Sequence, residues 1–116
     1  MAEEVAVEIH PGVFVSSTST EEFEPDPEVN GEVHVLCSVP GTDAGMSRFR
    51  GEPSAEPVVY TTPSRETLLV LEGEAIVEIE GGPTLDLRPG DMASIPAGAV
   101  TRWRVSPPFK EFWVLG

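Results

Sequence analysis

Few side chains in this sequence could do chemistry, and their spacing decides which could act together. There are two histidines, His10 and His34, and one cysteine, Cys37. His34 and Cys37 are three apart, so on one straight strand they point to opposite faces. With no basic neighbour in sequence to lower its pKa, Cys37 reads as a small buried hydrophobe. His10, directly before Pro11, reads as a surface or interface residue. Ser47, Ser64 and Ser94 have no histidine near them in sequence, so no nucleophilic triad is visible. Gly81-Gly82 is a hairpin turn, and neither a phosphate loop nor a dinucleotide fingerprint occurs. What remains are carboxylates, hydroxyls, arginines and aromatic rings. Glu66 heads ETLLVLEG, Tyr60 and Thr62 lie in EPVVYTT, and Thr101 and Trp103 lie in VTRWRV. Arg48 and Arg50 share a face of MSRFR; turned inward they would favour a carboxylate ligand, and turned outward they are solvated charges.

The elements that must position these groups are strands. EVHVLCSV (32–39) is bounded by Asn30-Gly31 and Pro40-Gly41, and MSRFR, EPVVYTT and ETLLVLEG follow it. EAIVEIEGG (74–82) continues almost without a break, so Glu72-Gly73 marks a turn or bend. There Ala75, Val77 and Ile79 share one face and Glu74, Glu78 and Glu80 the other. PTLDLRPG, DMASIPAG, VTRWRV and KEFWVLG complete the series, and no stretch carries a capped helical stripe. Short strands with Gly/Pro turns predict an all-β sandwich or barrel. In the N-terminal part, VAVEIHPGVFV predicts one or two short strands broken at Pro11-Gly12. SSTSTEEFEPDPEVNGE (16–32) is acidic and Pro-interrupted, and reads as a loop or arm. The expected division is an arm over 1–31 and one barrel domain over 32–116.

Composition narrows the partners. With 116 residues and 40% hydrophobic content, the chain fits one cored domain. A net charge of −13, with no basic cluster to offset it, excludes nucleic acid and anionic membranes as expected partners. No apolar run approaches the ~20 residues that span a bilayer. The acidic start MAEEVAVEIH does not read as a signal peptide, and the lone cysteine fits a reducing cytoplasm.

Two linked motifs between Glu66 and Val105 resemble those of the cupins, small double-sheet jelly-roll barrels. Glu66-TLLVLE-Gly73 fits the end of the first motif, a glutamate, six residues and a glycine. Gly90-DMASI-Pro96-Ala97-Gly98-Ala99-Val100 fits the second until its last place, where Thr101 stands instead of histidine. PAGAVTRWRVSPPFKEFWVLG is similar to the closing strands of a cupin subgroup, with Trp103 retained and Arg102 and Arg104 departing from its pattern. The resemblance implies a double-stranded β-helix, or jelly-roll barrel, with an interior cavity. It also implies a metal site of three histidines and the glutamate. Counting back from Glu66 lands on Val59-Tyr60-Thr61-Thr62, which holds no histidine. Glu66 is the one surviving ligand, and hydroxyls cannot replace imidazoles for zinc, iron or manganese. The expectation is therefore a barrel with no metal and no cofactor.

The resemblance turns Glu66 inward, and alternation then carries Leu68 and Val70 inward with it. Tyr60, Thr62, Thr101, Trp103 and Val105 join the inward set, a composition suited to a small-molecule pocket. Burial there would raise the Glu66 pKa and make it an acid or base near neutrality, with Tyr60 as its partner. Pairing with Arg48, Arg50 or Arg65 would instead make it structural. Glu66 and Tyr60 are thus the catalytic candidates; His34, Arg48, Thr62, Leu68, Thr101 and Trp103 are the binding candidates. The leading expectation is a metal-independent cupin that binds a small molecule and catalyses proton transfer of isomerase, cyclase or lyase type. The missing ligands and the lack of a second acid-base group also suit a non-enzymatic binding or sensory module. A metalloenzyme with an unusual shell of His34 and Glu66 is the third reading. A homodimer is expected, because outward Leu69 and Leu71 with Phe112 and Trp113 would otherwise add to exposed apolar patches.

Overall fold

The computed structural model describes residues 6–116. The acidic start MAEEV, with its reading as a non-leader, lies outside the described residues. Ten strands and no helix are present among them, and so no helix long and apolar enough to cross a membrane. The protein is an all-β jelly-roll barrel. Strands β1 (Val7–His10) and β2 (Val13–Val15) form a separate antiparallel hairpin that turns at Pro11-Gly12. The main sheet comprises β3 (Glu24–Asp26), β4 (Gly31–Val39), β5 (Thr42–Phe49), β6 (Val58–Thr61), β7 (Glu66–Ile79), β8 (Thr84–Leu87), β9 (Met92–Ile95) and β10 (Val100–Leu115). Its order is β3-β4-β5-β10-β7-β8, with β6 added to β10 and β9 added to β7.

Two long strands give the barrel its shape. The first half of β7 pairs with β9 and with the end of β10, and its second half pairs with β8 and the start of β10. Both strands change register at one corner, between Ser106 and Lys110 of β10 opposite Glu72 and Glu74 of β7. Gly73 makes the corner possible. Its φ is +78°, and a Cβ there would run into the backbone of Ser106, Pro108 and Phe109. The alternation slips by one residue across it: Glu66, Leu68 and Val70 are buried before Gly73, and Ala75 and Val77 after it. Inward side chains from both halves therefore meet in one core of Leu68, Val70, Ala75, Val77, Trp103 and Phe109.

The segment between the hairpin and β3 crosses the outer face of β4 and β5 and is pinned there by basic groups. His34 Nδ1 donates to the Glu22 carbonyl at 2.7 Å, which leaves Nε2 to accept from the Ser16 hydroxyl at 2.7 Å. Lys110 donates to the Thr18 carbonyl, and Arg48 pairs with Glu21 and Glu32. The Arg48 guanidinium also lies 3.9 Å from the centroid of the Phe23 ring. Thr20 within this strap is fully buried, so the strap is packed structure rather than a loose arm.

Candidate functional site

A cavity of about 230 Å³ opens inside the barrel. Four aromatic rings line it, those of Phe49, Tyr60, Trp103 and Trp113, together with Val33, Val58, Val105 and Leu115. Its titratable lining comprises Tyr60 and four carboxylates, those of Asp26, Glu28, Glu66 and Glu111. Glu66 and Glu111 are each only 5% exposed, whereas Glu28 is exposed and Asp26 half-buried, so the outer pair marks the solvent side.

The sheet explains this set. On β5, Ser47 and Phe49 face the cavity, so Arg48 between them must point away. On β10, Glu111, Trp113 and Leu115 alternate inward, and the Trp113 indole donates to Ser47 Oγ at 2.8 Å. On β7, Glu66 stands at the start of the strand, with Leu68 and Val70 behind it in the core.

Burial governs the electrostatics. It pushes Glu66 up to about 7, and among the described residues no ion pair offsets the shift. Arg48 and Arg50 are held by Glu32, and Arg65 donates to Ser94 Oγ. Glu111 lies well above the ordinary carboxylate range because it is buried, with the charge of Glu66 adding to the effect. Its Oε1 has no hydrogen-bond partner among the described residues. Tyr60 is pushed up to about 12 by burial first, then by the charges of Glu66, Glu28, Asp26 and Glu111. The phenol consequently keeps its proton at neutral pH and can act there only through its neutral hydroxyl.

Of the residues singled out from the sequence, Glu66, Tyr60 and Trp103 line this cavity together. Thr62, Leu68 and Thr101 are buried beside it but do not line it. Thr62 Oγ1 donates to the Pro96 carbonyl and accepts from the Ala99 amide, tying the β9–β10 turn to the end of β6. Thr101 Oγ1 donates to the Tyr60 carbonyl at 2.6 Å and accepts from the Trp103 indole at 2.9 Å. Two expectations need correction. His34 points away from the cavity, because its neighbour Val33 occupies the inward position, and both ring nitrogens hold the N-terminal strap. Arg48 is likewise on the outer face, held by Glu21 and Glu32.

Glu111 and Trp113 are the cavity residues that the sequence conceals. KEFWVLG is apolar in both phases, since Phe112 and Val114 alternate with Trp113 and Leu115, and alternation cannot choose the inward set. The strap explains the double pattern: Phe112 borders a second hollow with Phe14, His34, Leu36 and Met46 on the outer face. The expectation of a single acid in the barrel is thus replaced by two.

The residues do not fit a metal centre of the cupin type. Glu66 is the one donor at the four ligand positions, the Thr101 hydroxyl has its two partners, and His34 lies across the sheet. Among the described residues no group of three or more His, Cys, Asp or Glu side chains could hold a metal ion.

A jelly-roll barrel with an interior cavity behind the Glu66–Gly73 and Gly90–Thr101 motifs defines a small cupin. The family model described as the EutQ-like cupin domain matches residues 44–112, and the chain belongs to that family. Solved structures share the fold. One from Salmonella typhimurium LT2, described as a putative ethanolamine utilization protein Q, superposes with a TM-score of 0.77 at 23% identity over 96% of this chain and 91% of that one. The EutQ protein of Clostridium difficile gives 0.72 at 17% identity over 98% and 94%. An RmlC-like cupin from Shewanella frigidimarina gives 0.70 at 18% identity over 95% and 91%. The likeness therefore extends through the N-terminal hairpin and strap, beyond the motifs themselves. No curated protein matches the chain.

Proposed function

We propose that this protein binds a small molecule in the barrel cavity and catalyses a proton transfer there without a metal ion, in a reaction of isomerase, cyclase or lyase type. The observation that carries this reading is Glu66, a buried carboxyl with no ion-pair partner among the described residues, raised by burial to about 7 at the wall of a cavity rich in aromatic rings. A group poised at the working pH is populated in both forms, as general acid–base chemistry requires. Glu66 exchanges the proton in this reading, burial disfavours its charged form, and the Tyr60 hydroxyl hydrogen-bonds a substrate oxygen.

Deuterium exchange tests it across many candidate substrates at once. Mixtures of small carbon acids in heavy water are followed by NMR for loss of C–H signals. The wild-type protein is expected to wash out at least one such proton, with a rate that follows a titration near pH 7. Glu66→Gln should slow that exchange by about 100-fold or more, the lower bound of a general acid–base contribution. No exchange with any carbon acid, or equal exchange by the variant, contradicts the proposal.

A non-enzymatic binding module is the second reading, and it is favoured by the threonines at histidine positions serving structure alone. We place the protein in a reducing compartment, the cytoplasm, on the strength of the free Cys37. We also propose a homodimer. Val7 pairs with Val15, and Ile9 and Val13 lie two residues further along each strand. All four are exposed on the hairpin, an apolar face suited to a second copy.

A further inference from the structure

We infer that the cavity is built to receive a small organic cation, an alkylammonium group, with Glu66 and Glu111 supplying the negative charge and the aromatic rings the walls. The inference deepens the binding role proposed above and rests on it.

The charge asymmetry of the lining comes first. Four carboxylates border the cavity, and none of the seven Lys and Arg residues or two histidines does. This asymmetry is local as well as global, because Arg48 sits between two cavity-lining residues yet points to the other side of β5. An anionic ligand would meet four acids and no counter-charge.

Glu111 supplies the second, independent observation. It is 95% buried, lines the cavity, and has an oxygen without a hydrogen-bond partner among the described residues. An unsatisfied buried acceptor costs free energy, and a donor arriving from the cavity relieves it. A neutral hydroxyl would answer that one oxygen. It would leave unexplained why Glu66 shares the chamber and why Asp26 and Glu28 stand at its solvent side. A cation engages all of them. Four aromatic rings share the remaining walls with aliphatic side chains, and such rings attract ammonium groups most strongly when water is excluded.

The protonation states follow the same logic. Burial in the chamber favours neutral acids, with Glu66 at about 7 and Glu111 well above the ordinary carboxylate range. A bound ammonium ion favours the carboxylate forms, so protons leave as the cation enters. Affinity should therefore rise with pH through neutrality. The titratable groups that face the chamber are Glu66 on β7, Glu111 on β10, Tyr60 on β6, and Asp26 and Glu28 at and beside the end of β3.

Both tryptophans of the chain line the cavity, so intrinsic indole fluorescence reports on this site alone. The experiment titrates the full chain with isobutylammonium, isobutanol and isobutyrate, three probes of similar shape and different charge. The amine stays protonated throughout, since alkylammonium groups such as that of lysine titrate near about 10.4. At about pH 8 the ammonium probe is expected to bind at least about tenfold tighter than the alcohol, a difference of about 1.4 kcal/mol. Isobutyrate should give no saturable response, and the preference for the cation should shrink below about pH 6, where protonation competes. Glu111→Gln should lower ammonium affinity about tenfold and so narrow the preference for the cation over isobutanol. The alcohol or the carboxylate binding as well as the ammonium ion overturns the cation assignment while the cavity stands as a binding site. No response to any of the three overturns both. The wild-type comparison decides the matter even if the variant does not fold.

Discussion

At position 101 a threonine occupies the place of a cupin metal ligand, and its hydroxyl is taken up by two buried partners. It donates to the Tyr60 carbonyl and accepts from the Trp103 indole, fixing two cavity-lining residues at once. Thr101→Val keeps the shape and removes the hydroxyl, leaving the buried Trp103 indole N–H without its acceptor. The expected loss is about 1–3 kcal/mol in urea unfolding, with a displaced Trp103 emission spectrum. An unchanged unfolding midpoint would show that the hydroxyl has no structural role. The loss of the histidines was legible in the sequence, because a motif can be counted position by position. What replaced them was not, since a threonine among strand residues gives no sign of where its hydroxyl points. Glu111 was hidden for a similar reason: nothing in KEFWVLG distinguishes an acid facing a cavity from one facing water.

The strands carry a different lesson. The alternation of ETLLVLE and of EAIVEI was readable on each side of Gly73, and the inward faces of both halves are those the pattern predicts. The joint between them reads from sequence as a turn or bend, and it is a bulged corner within one continuous strand, locked against β10. Gly73→Ala should therefore cost more than a surface glycine replacement. It combines the left-handed strain of about 1–2 kcal/mol with a collision against the backbone of Pro108. Denaturant unfolding of this variant against Gly41→Ala separates the two contributions. Gly41 also has positive φ, yet a Cβ there meets nothing within 4 Å. Equal losses for the two would remove the packing role of the corner. The N-terminal strap was the least legible element. Its serines, threonines and acids read as loop, and only the fold brings Lys110, Arg48 and His34 to hold them.

For the whole molecule, the two interior acids set the response to pH. The folded-state pKa of Glu66 is raised from 4.5 to about 7, so the folded state binds its proton more tightly than the unfolded chain does. Its stabilising contribution is complete below about pH 4.5 and is lost as pH climbs through 7. The loss is on the order of 3 kcal/mol, and Glu111 acts in the same direction. Glu21 and Glu32 are lowered by Arg48 and act oppositely, weakening the fold only as pH falls below the ordinary carboxylate range. The urea midpoint is thus expected to be higher near pH 5 than near pH 8, where self-repulsion of the −13 charge adds to the decline. Glu66→Gln should flatten this dependence and raise stability on the alkaline side. A variant with the wild-type slope would remove Glu66 from the pH response and leave it to Glu111 and surface charge. At the level of assembly, sedimentation at micromolar concentration should give twice the 12.5 kDa mass of one chain, and Val7→Asp with Val15→Asp should return the monomer. A wild-type species of one chain mass would contradict the dimer.

The central claim is a carboxyl poised near neutrality inside an aromatic barrel, and carbon-13 NMR of the glutamate side chains measures it most directly. Glu66, assigned by comparison with Glu66→Gln, should titrate at about 7, far from the ordinary 4.5 of an exposed glutamate. A midpoint at the ordinary value would place that carboxyl in contact with water or a cation of the protein itself, and would contradict the account.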